Sequence, residues 1–173
     1  MIRIGLPVVT FFFFLFEGTV MQVFSPEWFG VSLELVPRFV MVIILFIAFF
    51  LNRQTALVYG LVFGFLTDVV YSDVLGVYFF SMAFTAYLVA SFAGLFHTNL
   101  FTMMFLGLLG VVLLEFQVYG MYWFTGIAQR SMDDFLNGRL WPTLVLNGVF
   151  IILMYYPLKR LFAAFENARR QEN

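Results

Sequence analysis

The sequence contains no cysteine and a single histidine, His97. The missing thiols exclude disulfides, thiolate metal sites and a cysteine nucleophile. One histidine cannot hold a metal alone, and no Ser-His-Asp set or phosphate-binding loop is present. Charge is scarce as well: Asp, Glu, Lys and Arg make up 11% of 173 residues, less than half the share in soluble domains. A soluble fold of this size could not cover its surface with so few polar side chains. A nucleic-acid binder would need a basic surface, and the formal net charge is -1. What the chain does have is apolar: 63% of residues are hydrophobic and 21% aromatic, with 26 Phe. That composition belongs to an integral membrane protein.

Hydropathy and punctuation predict about six transmembrane helices in one bundle, an all-α integral membrane fold. The spans run from about Gly5 to Phe24, Leu35 to Leu51, Thr55 to Tyr71, Val74 to Phe96, Leu100 to Phe124 and Leu140 to Tyr156, with Pro157 ending the last. Runs such as Val40 to Leu51 are apolar on every face, which excludes the alternation of a membrane barrel. The first span reads as a retained helix and not a secretory signal, since it is full length, carries Glu17 and lacks a small-x-small cleavage site. The predicted organisation is a six-helix domain over 1–157 and an amphipathic basic segment over 158–173.

Orientation follows from Lys and Arg. Arg3, Arg53, Lys159, Arg160, Arg169 and Arg170 fall on the side of the termini, against Arg38, Arg130 and Arg139 on the other. Both termini are therefore expected in the cytoplasm. Trp28, Trp123 and Trp141 then lie near the outer interface.

Three acids fall inside spans, Glu17, Asp68 and Glu115, and Arg38 sits just inside the second. A charge at mid-bilayer costs at least about 2.5 kcal/mol, so these groups must face protein or find partners. All four lie in the outer halves of their helices and can share one layer, with Arg38 expected to pair with Asp68. The layer reads either as a structural clamp or partner-docking surface, or as an ion path. The rarity of other mid-span polar residues (Gln22, Gln117 and Asn147) favours the first reading.

Ala56, Gly60, Gly64 and Asp68 recur every four residues, on one face of the third helix. Gly60 and Gly64 form a GxxxG pair that lets backbones approach, so the acid on that stripe points at a neighbouring helix. Ala86, Ala90 and Gly94 form a second small-residue stripe, for internal packing or a partner. In the C-terminal segment, Leu158, Leu161, Phe162 and Phe165 recur at helical spacing. Lys159, Arg160, Arg169 and Arg170 take other positions, which suits a helix on an anionic membrane surface. His97 reads as a solvated cap and Asp133-Asp134 as a solvated loop pair.

Several stretches resemble the rod shape-determining protein MreD family. They are Glu17 in the first helix, Leu35-Val36-Pro37-Arg38-Phe39, the run Tyr59 to Asp68, Leu75-Gly76-Val77-Tyr78, the His97-Thr98-Asn99 turn and Leu113-Leu114-Glu115-Phe116. The resemblance covers nearly the whole chain and is densest from Pro37 to Tyr78. It implies a non-enzymatic subunit of the bacterial cell-elongation (rod) complex in the cytoplasmic membrane, with no cofactor. The implied partners are MreC, through its transmembrane helix, together with MreB, RodA and a class B penicillin-binding protein, with a role in lateral peptidoglycan synthesis and cell shape. It also implies a fold similar to the substrate-binding components of energy-coupling-factor vitamin transporters. A transporter component is thus the alternative function. The AxxxA pattern of such components is absent from the first span, which contains no Ala.

Overall fold

The computed structural model describes residues 2–23, 34–127 and 131–171, with the side chains of 2–4, 21–23 and 165–171 outside that description. Arg3, Trp28, Arg130, Arg169 and Arg170, whose side chains were expected at the membrane surfaces, therefore lie outside the described residues. The regular elements of the described chain are all helical: α1 (Ile2–Val23), α2 (Phe39–Phe50), α3 (Arg53–Tyr71), α4 (Val77–Ala93), α5 (Leu100–Phe124), a π-helical segment (Asp134–Leu140) and α6 (Trp141–Gln171). Three helical stretches, α3, α5 and Asp134–Ala164, are long and apolar enough to cross a membrane, and α1, α2 and α4 contribute shorter apolar runs.

The helices form one bundle around α2. Every residue from Phe39 to Ala48 is buried, and α2 touches each of the other five helices. Its uniformly apolar sequence suits that central place, because no face has to meet water. Around it the outer helices bury one side and turn residues such as Phe65, Phe80, Phe105 and Val149 outward. Asn52 caps α3 by accepting from the Thr55 N–H at 2.7 Å, and Asn99 caps α5 by accepting from Thr102 at 2.8 Å. Both turns leave the chain free to reverse at once.

Two predicted spans are shorter than expected, and one is longer. The second begins at Phe39, not Leu35, because Glu34 to Arg38 is not helical. Twelve residues of α2 rise only about 18 Å, well under the bilayer's apolar thickness of about 30 Å. The fourth covers Val77–Ala93. Pro157 does not end α6, which continues to Gln171. Leu158 and Phe162 beyond it are buried, and the Phe162 ring stacks on Phe50 of α2 at 5.5 Å. That burial holds the helix together past the missing proline N–H.

The small-residue stripe of α3 lies against α4. A Cβ on Gly60 would come within 2.9 Å of the Ala83 Cα, and one on Gly64 within 2.6 Å of the Tyr78 carbonyl oxygen. Backbone meets backbone there, as GxxxG permits. On α4, Ala86 is fully buried and Ala90 partly so, while Gly94 is exposed at the helix end with open space around its Cα. α1 holds the bundle less closely. Phe14 meets Phe63 and Tyr71, but nearer its start α1 leaves a groove of about 510 Å³ against α3, lined by Pro7, Phe11, Val58 and Val62 among others.

Candidate functional site

The non-helical stretch Glu34 to Arg38 is the key to the polar layer. Val36, Pro37 and Arg38 are buried, and irregular backbone at such a depth must find its hydrogen bonds within the protein. α6 supplies them. The Thr143 hydroxyl accepts from the Val36 N–H at 3.2 Å. The Asn147 side chain accepts from the Arg38 N–H at 2.8 Å and donates to the Val36 carbonyl at 3.0 Å. The π-helical segment adds its Gly138 carbonyl, which accepts from the Glu34 N–H at 2.7 Å.

That stretch delivers Arg38 into the bundle. Its Nε donates to Glu115 Oε1 at 2.6 Å, and its Nη2 donates to the Tyr78 hydroxyl at 3.1 Å. The guanidinium also lies 5.0 Å from the centroid of the Tyr78 ring. The other oxygen of Glu115 accepts from Arg139 Nε at 2.9 Å. Arg139 then reaches Glu34 at 3.4 Å. Charges thus alternate from the enclosed Arg38–Glu115 pair, both nearly inaccessible, to the partly exposed Arg139 and Glu34. The partly exposed charges of this chain lie at the end of the bundle where α6 starts, termed its mouth.

Asp68 does not join it. The expected Arg38–Asp68 pair is absent, since Glu115 holds Arg38 and Asp68 is engaged by backbone. Asp68 Oδ1 accepts from the Tyr78 N–H at 2.8 Å, and Oδ2 from Gly76 and Phe79, each at 2.9 Å. These are the free donors at the start of α4, and a carboxylate is the natural acceptor for them. Gly76 supports the turn with a φ of 101°, a conformation that favours glycine. Glu17 acts similarly from α1, its Oε2 accepting from the Val40 N–H at 3.0 Å in the first turn of α2. Two of the three intramembrane acids therefore close helix ends that begin inside the bundle, and among the described residues only Glu115 of the three takes part in ion pairs.

The structure thus brings Arg38 and Glu115 into contact and places Glu17 and Asp68 on neighbouring helix starts. It adds Arg139, Tyr78, Thr143, Asn147 and Glu34, which the sequence reading did not place in the layer. A signal for three of them was present: Arg139, Thr143 and Asn147 recur every four residues, the spacing of one helix face. Elsewhere, Gln117 donates to the Thr85 hydroxyl at 2.7 Å across the α4–α5 seam. Lys159 and Arg160 are exposed on α6, and His97 is exposed in its turn. Among the described residues no group of three His, Asp or Glu is arranged to hold a metal.

Comparison with known proteins matches residues 1–165 to the family model of the rod shape-determining protein MreD. The chain is 34% identical over 138 residues to the rod shape-determining protein MreD of Bacillus subtilis (strain 168), covering 80% of each sequence. No solved structure matches the chain.

Proposed function

The chain belongs to the MreD family of rod shape-determining proteins, and from that premise we propose that it serves the cell-elongation machinery as a docking subunit for MreC. As a family member it is a non-enzymatic, multi-pass protein of the bacterial inner membrane that takes part in determining rod cell shape. The proposed role is to bind MreC beside its transmembrane helix and so help control lateral peptidoglycan synthesis, alongside MreB, RodA and a class B penicillin-binding protein. Both termini face the cytoplasm in this reading, which turns the mouth outward. Lys159 and Arg160 then meet anionic lipid headgroups on the inner face.

One observation carries the docking site. The ion-pair chain that starts at the buried Arg38–Glu115 pair reaches Arg139 and Glu34, which are 25% and 30% exposed. Partly exposed charges give a partner something to recognise. The α3 stripe is a poorer candidate, since α4 backbone already fills it.

The test is Glu34→Lys, which turns the partly exposed part of the chain from mixed charge to basic and leaves Arg139 on Glu115. Expected is a loss of MreC co-purification, with rounder cells, while the amount of the variant in the membrane stays normal. Undiminished co-purification together with normal cell width would remove the mouth from the binding site.

A further inference from the structure

The end of α6 nearest the mouth is wound differently from the rest. From Asp134 to Leu140 the backbone is π-helical, and the Trp141 N–H donates to the Leu136 carbonyl five residues back. A π turn holds one residue more than an α turn and is rarely extended over several residues. This one is fixed at both ends. Below it, Thr143 and Asn147 are tied to Val36 and Arg38. Above it, Phe135 is buried, stacked on Tyr119 at 4.3 Å and edge-on to Phe116 at 5.3 Å. Between the anchors, the Gly138 carbonyl and the Arg139 side chain hold Glu34, and Arg139 also holds Glu115.

The neighbour of Phe135 is Leu136, also apolar and only partly buried. If the segment rewinds as an α-helix above a fixed Trp141, the surplus residue passes into the connection before Ser131. Each upper residue then moves on by about one position, and Leu136 arrives where Phe135 sits. The aromatic pocket on α5 is filled by an apolar side chain in either register. The polar contacts have no such substitute, because Gly138 and Arg139 turn away from Glu34.

We propose that residues 134–140 are a two-register strap over the mouth. The π register seen here closes it, through Phe135 on α5 and Arg139 on Glu34 and Glu115. The α register opens it, with Leu136 on α5 and the stretch from Glu34 to Arg38 released from the strap while still held by Thr143 and Asn147. This is a two-state element of the kind that lets a contact at one place expose another. It does not depend on which partner docks.

Because the chain has no cysteine, the two registers can be trapped by paired thiols in the full-length protein in membranes. Tyr119→Cys is combined with Phe135→Cys to report the π register, with Leu136→Cys to report the α register, and with Asn137→Cys as a control. Each is treated with a short, irreversible thiol crosslinker. Expected is a fast 119–135 product and a slower 119–136 product that accumulates as the minor register is trapped. Arg139→Gln raises the 119–136 rate several-fold. Deleting Asn137 removes the surplus residue and leaves Phe135 five positions before Trp141, the place Leu136 takes in the parent's α register, so 119–135 remains the main product and 119–136 is abolished. A 119–136 rate no greater than that of the 119–137 control, or one indifferent to Arg139→Gln, overturns the proposal. Those two measurements decide it even where the deletion prevents membrane insertion.

Discussion

Arg38 and Glu115 meet at 2.6 Å in the interior of the bundle, and Glu115 is the shared counterion of two arginines. Its second oxygen is taken by Arg139. The acid is therefore the centre of the network, and Arg38 is one of its two arms. Losing the centre should cost more than losing an arm. Breaking a buried pair by removing one partner costs about 3–5 kcal/mol. Glu115→Gln is expected to reach that range, since it takes from the buried Arg38 the carboxylate it is hydrogen-bonded to. Arg38→Met, similar in length and apolar, leaves Glu115 still paired with Arg139 and should cost less. Unfolding of the purified protein in mixed detergent, followed by circular dichroism, gives the order. The reverse order would mean that Arg38 carries the network.

The three N–H groups on Asp68 define a second expectation. Each buried donor left unsatisfied costs roughly 1–3 kcal/mol. Asp68→Ala should be severely destabilising, because all three lose their acceptor at once. Asp68→Asn keeps one acceptor oxygen and should fall between that variant and the parent. An exchange of charge between Arg38 and Asp68 should rescue nothing, as the two make no ion pair. Recovery of stability in the exchanged double variant would contradict the capping role.

Glycine positions give a graded series. A Cβ at Gly64 meets α4 backbone at 2.6 Å, one at Gly110 meets the flexible tip of Leu45 at 2.5 Å, and one at Gly94 meets nothing within 4 Å. Backbone cannot retreat as a leucine methyl can. Gly64→Ala is expected at the upper end of the roughly 1–3 kcal/mol for overpacking, Gly110→Ala below it, and Gly94→Ala within about 0.5 kcal/mol of the parent. Thermal unfolding midpoints in one detergent rank the three.

Asn147 separates donor from acceptor. Its carbonyl oxygen serves the Arg38 N–H and its amide serves the Val36 carbonyl. Asn147→Asp retains the first and loses the second. Asn147→Leu loses both, and should free the stretch from Glu34 to Arg38. The readout is labelling of a cysteine placed at Leu35 by a membrane-impermeant reagent, expected to speed up in the order parent, Asp, Leu. Equal rates in all three would show that the stretch is held elsewhere.

The bundle was legible in the sequence because apolar runs of adequate length have few other fates, and the α3 stripe because small residues every four positions mark a close helix contact. Partners inside the polar layer were harder. Spacing placed Arg38, Asp68 and Glu115 at similar depth, but depth does not decide which acid meets the arginine. That choice is made by the start of α4, whose backbone donors take Asp68 first. The short α2 was hidden because Leu35, Val36 and Pro37 are as apolar as a helix would be. The buried hydrogen bonds of Thr143 and Asn147, with that of the Gly138 carbonyl to Glu34, explain why they stay out of the helix. Pro157 misled for the opposite reason: a local breaker was overridden by the burial of Leu158 and Phe162.

The dependence of Val36 and Arg38 on α6 sets an order of assembly. The N–H groups of Val36 and Arg38, at the start of the innermost helix, lack these partners until Thr143 and Asn147, more than a hundred residues later, have been synthesised. During translation α2 must wait, an apolar helix too short to span, sheltered by α1 and then by the α3–α4 pair. The last helix to leave the ribosome completes the first helix of the core. A nascent chain that stops before α6 is thus a membrane protein with its centre unfinished, and a natural substrate for membrane quality control.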